Sequence, residues 1–168
     1  MKVIVLKPSI DTKGNDCLVS RIGARRKVDF LVAPTANVEN LLENYLDSTD
    51  CILVDEAQFL TESQADELYN ISKEYNIPVI CYGLRTDFMT EGFPGSTRLL
   101  LIADELEEMP TICACGTKVR FNGRKVNGEF VSEGSQVAID ETGDVTYESL
   151  CGRCYQKKVR PIRTGKKY

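Results

Sequence analysis

Two features of the sequence have the residue types and spacing for chemistry. The apolar run Cys51-Ile52-Leu53-Val54 passes directly into Asp55-Glu56-Ala57-Gln58-Phe59, so two adjacent carboxylates stand at the end of a buried strand. Neighbours at a strand end point in different directions and can divide labour. Asp55 is placed to organise magnesium beside nucleotide phosphates, and Glu56 to accept a proton from an attacking hydroxyl. Acids also follow strands as solvated loop residues, and the pair alone fits that reading too. The chain contains no histidine, which makes Glu56 the natural base candidate and excludes a Ser-His or Cys-His hydrolase.

The second feature is the distribution of the seven cysteines. Cys113-Ala114-Cys115-Gly116 and Cys151-Gly152-Arg153-Cys154 stand 35 residues apart. Two close pairs on turns offer four thiolates to a tetrahedral zinc, and four protein ligands leave no open position, so the expected site is structural. Disulfides are the competing use of such pairs. They are disfavoured in a chain that reaches acidic residues without a cleavable apolar segment, a pattern that points to the cytoplasm. Cys17, Cys51 and Cys81 are isolated; Cys51 and Cys81 lie in apolar runs, where a free thiol behaves as a small hydrophobe.

The elements that must position these groups follow from the apolar pattern. With 168 residues, 42% hydrophobic and 27% charged, the chain can bury one core and carry a small appended module. Its net charge of −4 argues against a general binder of nucleic acid or membrane surfaces and favours small-molecule partners. No apolar run approaches the roughly 18 to 20 residues that cross a bilayer. Residues 2–7 read as a buried strand ended by Pro8, and residues 28–33, 51–54 and 78–82 as further strands. Val38, Leu41, Leu42, Tyr45 and Leu46 recur at helical spacing over 36–48. Thr61 and Gln64 have capping-box spacing before a helix running to Asn76, and a last helix is expected over 96–108. Strands without alternation, interleaved with helices, predict a parallel α/β sheet covered on both faces, with ligands at its carboxyl edge. Residues 7–13, 55–59 and 82–88 converge there. Pro110 marks a boundary, beyond which short polar alternation and the cysteine pairs predict a small β-rich zinc module. The six basic residues between Lys157 and Lys167 read as a solvated end.

The strings LKPSIDTK, SRIG, VDEAQFL, YGLRTDF and VTYESLC, with the two cysteine pairs, occur in order over nearly the whole chain. Together they resemble type II thymidine kinases, the bacterial and phage branch in particular. The resemblance implies an α/β architecture: a parallel-sheet, P-loop-type nucleotide kinase domain over 1–110, N-terminally truncated, and a zinc-binding, β-rich domain with a lasso loop over 111–168. It implies transfer of the ATP γ-phosphoryl group to the 5′-hydroxyl of thymidine, giving thymidine monophosphate, in a cytoplasmic homotetramer using structural zinc and magnesium with ATP.

Carried over by position, Glu56 resembles the family's proton acceptor and Asp55 its magnesium-organising acid, with Ala57 and Gln58 bordering the phosphates. Asp11 matches an active-site aspartate, and Lys13 stands where the family has arginine, which keeps the charge but loses a bidentate fork. Phe59 and Phe88 resemble the aromatics lining the base pocket, with core packing as their alternative use, and Arg124 the arginine after the first cysteine pair. Residues 136–147 match the lasso, in which Val137, Ala138 and Ile139 meet the thymine edge and Tyr147 packs beside it. The segment Asp140-Glu141-Thr142-Gly143 replaces a Gly-Gly turn and is two residues longer than the family's. By the same resemblance Met1 falls at the family's second strand. The first strand, the loop ending Gly-Lys-Ser/Thr and the following helix are therefore expected upstream or on a separate fragment. Gly165-Lys166 follows no strand and cannot serve as that loop. A non-catalytic, zinc-stabilised nucleoside-binding or regulatory subunit is the competing expectation, and neither reading involves nucleic acid or a membrane.

Overall fold

The computed structural model of the chain describes residues 1–12, 14–20, 22–136 and 144–160. They form two compact units, one of Met1–Arg85 with Gly92–Leu106, the other of Thr86–Glu91 with the chain from Glu107. The first unit holds β1 (Val3–Pro8), β2 (Cys17–Val19), β3 (Arg25–Lys27), β4 (Phe30–Val32), α1 (Val38–Leu42), β5 (Cys51–Val54), α2 (Glu62–Glu74), β6 (Val79–Cys81) and α3 (Pro94–Ile102). The second holds β7 (Phe121–Val126), β8 (Glu129–Val131), β9 (Val145–Leu150) and α4 (Gly152–Lys158).

The apolar runs form the expected parallel sheet, in the order β4-β1-β5-β6. Leu6 pairs with Val54, and Val54 with Cys81, so β5 and β6 end together while β1 continues to Pro8 beside β4. Ile4, Leu6, Ile52 and Val54 pack with Val38 and Leu42 of α1 and Leu68 and Ile71 of α2. Coverage of both faces was expected, and here the structure differs. Ile52 and Val54 are buried while Cys51 and Leu53 are half-buried, and Leu31 and Ile80 are each 43% exposed. Continuous apolar character shows that a strand is unsuited to water on either side; it does not say what covers each side.

Helix boundaries show where local signals suffice. Thr61 accepts from the Gln64 amide at 3.2 Å while the Gln64 side chain accepts from the Thr61 amide at 3.1 Å, completing the capping box that starts α2. The pattern over 36–48 yields only α1 and a 3-10 turn at Leu46–Ser48. The Ser48 and Thr49 hydroxyls both donate to the Tyr45 carbonyl, which ends the ladder there. Helix α3 begins at Pro94, a residue suited to a first turn, and stops at Ile102 rather than 108. Continuing would place Glu105, Glu107 and Glu108 at a helix C-terminus, against its dipole. The antiparallel β2–β3 pair, Cys17↔Lys27 to Val19↔Arg25, was not foreseen, because three-residue strands carry no readable period.

In the second unit β8-β7-β9 form an antiparallel sheet, and Cys113, Leu150, Cys151, Tyr155 and Val159 make a small core. The three isolated cysteines are half-buried; burial pushes the Cys81 thiol up to about 12, which leaves it inert. No helix among the described residues is long and apolar enough to cross a membrane.

Candidate active site and metal centre

The carboxyl edge of the first unit is built by backbone pinning on both sides of one residue. The Asp55 amide donates to Leu6 O at 3.0 Å and the Ala57 amide to Tyr82 O at 2.8 Å. Glu56, held between these two anchors, takes the left-handed conformation, φ 50° and ψ 37°, which costs a non-glycine residue about 1 kcal/mol. Its carboxylate accepts from Gln58 Nε2. Gln58 is buried, and its Oε1 accepts from the Leu84 amide at 3.0 Å, so a fixed side chain sets the direction of Glu56. Residues 57–59 form a 3-10 turn, and the half-buried Phe59 meets Phe93 edge-on, ring centres 5.6 Å apart.

Helix α3 presses on this turn at Gly95. A Cβ there would lie 2.5 Å from Ala57 O, 2.7 Å from Leu60 O and 3.0 Å from Gln58 O, all backbone atoms. Gly95→Ala is therefore expected to cost about 1–3 kcal/mol and to displace the turn that carries Gln58. A thermal melt reads the first effect; an unchanged midpoint would show that α3 can withdraw freely.

On the neighbouring central strand, Lys7 is only 1% exposed. Its ammonium lies 2.8 Å from Asp11 Oδ2 and 3.2 Å from Asn15 O. A buried ammonium is tolerated when paired and hydrogen-bonded, and here it ties the Asp11 carboxylate to the end of β1. The family resemblance marked Asp11 and gave no role to Lys7. The only signal was a lysine closing an apolar strand directly before Pro8.

In the second unit Arg124 is fully buried on β7. Its Nε donates to Tyr147 Oη at 3.0 Å, and its two terminal nitrogens to Ser135 O at 2.8 Å and Gln136 O at 3.1 Å. Its guanidinium carbon lies 3.8 Å from the centre of the Phe88 ring, a stacked cation–π contact. Phe88 is buried as well, whereas Tyr147 is 55% exposed. Phe88 and Arg124 thus form a support, and Tyr147 is the accessible aromatic of this cluster.

Cys113, Cys115, Cys151 and Cys154 bring their sulfurs within 4.8 Å of one another, a group that could hold one metal ion. Gly116, at φ 83°, makes the tight turn of the first pair, its amide donating to Cys113 O at 2.8 Å. Cys151 caps α4, its sulfur accepting from the Cys154 amide. The hydroxyl and amide of Thr117 hold the Cys115 thiol down at about 6, and the amides of Cys115 and Cys151 lower Cys113. Cys154, beside Cys115 and Cys151, is pushed up to about 12. Four close sulfurs cannot all ionise without a cation among them, so a bound cation would favour the thiolate form of the whole set.

The thymidine kinase family model matches residues 1–155. The chain belongs to the thymidine kinase family. The thymidine kinase of Chromobacterium violaceum is 43% identical over 159 residues, 92% of this chain and 82% of that one. Those of Haemophilus influenzae and of Enterobacteria phage T4 are 41% and 39% identical, each over 96% of this chain and 84% of the relative. Family membership fits the parallel sheet and the cysteine cluster seen in the structure. Of the expected site residues, Asp11, Asp55, Glu56, Ala57, Gln58 and Phe59 lie in the first unit, and Phe88, Arg124 and Tyr147 in the second. Lys13, Val137, Ala138 and Ile139 lie outside the described residues.

Proposed function

We propose that this chain carries the nucleoside side of a thymidine kinase, transferring the ATP γ-phosphoryl group to the thymidine 5′-hydroxyl. The observation that carries the reading is Glu56, fixed in a left-handed conformation at a strand end by the buried Gln58, in a chain of this family. Glu56 accepts the proton as the 5′-oxygen attacks the γ-phosphorus. The bond to the bridging oxygen breaks, ADP leaves, and thymidine monophosphate remains. Magnesium, when bound with ATP, offsets phosphate charge; Asp55 and Asp11 are the carboxylates that would hold it, and Ala57, Gln58 and Lys13 border the phosphates. Phe59 and Tyr147 line the base, Phe88 and Arg124 support it, and Val137, Ala138 and Ile139 meet the thymine edge.

Zinc is the ion suited to the four cysteines. Four thiolates at about 2.3 Å from zinc put neighbouring sulfurs about 3.8 Å apart, and the Cys115 and Cys151 sulfurs lie 3.5 Å apart. The role is structural. A homotetramer in the cytoplasm is part of the same reading.

Residues 1–168 contain no Gly-x-x-x-x-Gly-Lys-Ser/Thr sequence, and in this reading a strand, loop and helix carrying one hold the β- and γ-phosphates. The outer edge of β6 and the half-exposed Leu31 and Ile80 offer that segment a strand to pair with and an apolar face to cover. The test is thymidine phosphorylation by the purified chain, with and without a polypeptide carrying such a strand, loop and helix. Thymidine monophosphate formed by the complemented chain is the expected result. Thymidine binding without turnover in a folded, metal-loaded, complemented sample would leave a regulatory nucleoside-binding subunit instead. Absence of binding would overturn both.

A further inference from the structure

Tyr155 follows the last cysteine of the metal cluster directly and is only 1% exposed. Its ring packs on Phe121, centres 5.1 Å apart, a contact phenylalanine would make equally well. The hydroxyl does something the packing does not require: it donates to the carbonyl of Phe88, 67 residues away in sequence. One further contact ties the same short segment to the end of α4, and two more hold its own turn. Arg160, just past α4, donates to Met89 O, and Asp87 Oδ1 accepts from the amides of Met89 and Glu91 at 2.8 and 2.9 Å. The segment carrying Phe88 is therefore fastened to the helix that begins at Cys151. Phe88 in turn lies under Arg124, whose donors hold Ser135, Gln136 and Tyr147.

We infer that Tyr155 is a positioning residue for nucleoside binding: its hydroxyl fixes Phe88, and through the Phe88–Arg124 stack it sets the exposed Tyr147 and the main chain at Ser135 and Gln136. The inference rests on the nucleoside reading given above. Tyr155 touches no substrate. It transmits the rigidity of the metal cluster, one residue away, to the groups that meet the base. Without the hydroxyl, the Phe88 carbonyl is left buried without that donor, a loss comparable to a net buried hydrogen bond.

The experiment uses the full chain and the Tyr155→Phe variant, with metal content, thermal midpoint, amide hydrogen exchange and thymidine affinity by calorimetry as readouts. The expected result is unchanged metal content, faster exchange over residues 86–91, and a thymidine Kd raised about tenfold. A variant with the wild-type Kd overturns the inference, even if its midpoint falls, since a purely structural hydroxyl would affect stability alone. Arg160→Ala provides a second variant whose exposed side chain can be removed without touching the core. Its thymidine Kd is expected to rise about two- to threefold, and if Tyr155→Phe fails to fold, an unchanged Kd in Arg160→Ala overturns the inference instead. A wild-type chain that folds and holds metal but binds no thymidine overturns the nucleoside reading itself and this inference with it.

Discussion

Glu56→Gln is expected to lower thymidine phosphorylation by the complemented chain by about 10²- to 10⁴-fold, the range set by loss of a general base. Thymidine affinity and thermal midpoint should stay near wild type. Glutamine has the same shape, keeps an oxygen to accept from Gln58 Nε2, and occupies the left-handed conformation at the same cost as glutamate. Only proton acceptance is lost. Glu56→Gly separates the backbone from the carboxylate. Glycine adopts φ near 50° without strain, so this variant should be as inactive as Glu56→Gln yet more stable by up to about 1 kcal/mol, less the packing lost with the side chain. Release of ADP and a thermal melt read the two effects. Activity within threefold of wild type in Glu56→Gln would remove Glu56 from the chemistry.

The second large effect is expected from the metal centre. The second unit has a small core, with Leu150, Tyr155 and Val159 the main apolar members beside the cysteines, too little to hold a module of this size by itself. Structural zinc on thiolates supplies on the order of 10 kcal/mol in small metal domains. Chelation, or Cys154→Ser, should therefore melt the antiparallel β7–β9 pairing and abolish thymidine binding. The parallel sheet of the first unit, with its own core around Ile52 and Leu68, should survive. Circular dichroism with metal titration measures both. A metal-free chain with native β-signal and intact binding would show that the cysteines are dispensable. The pH dependence has a definite sign. Metal binding must displace protons from thiols, so affinity falls as pH falls. The loss should steepen below about pH 6, where Cys115, held at about 6 by Thr117, also takes up a proton.

Much of this molecule is legible in the sequence because the relevant physics is local. An apolar run ending at Pro8 or running into Asp55 is a strand with at least one buried face whatever surrounds it. Thr61 and Gln64 cap a helix through contacts three residues apart, and the type and spacing of the four cysteines indicate a group that could hold one cation. The order of motifs was enough to indicate the family. What the sequence could not express is the consequence of chain segments meeting. Glu56 is left-handed because β1 pins Asp55 on one side and the chain after β6 pins Ala57 on the other. Lys7 is buried because Asp11 and Asn15 return to it. Phe88 and Arg124 are buried because they stack on each other, while Tyr147 stays exposed. Thr86–Glu91 belongs to the second unit because Tyr155 and Arg160 bind its carbonyls. Periodicity and spacing fix what lies within a few residues along the chain, whereas these features arise from contacts between distant segments, which only the tertiary structure decides.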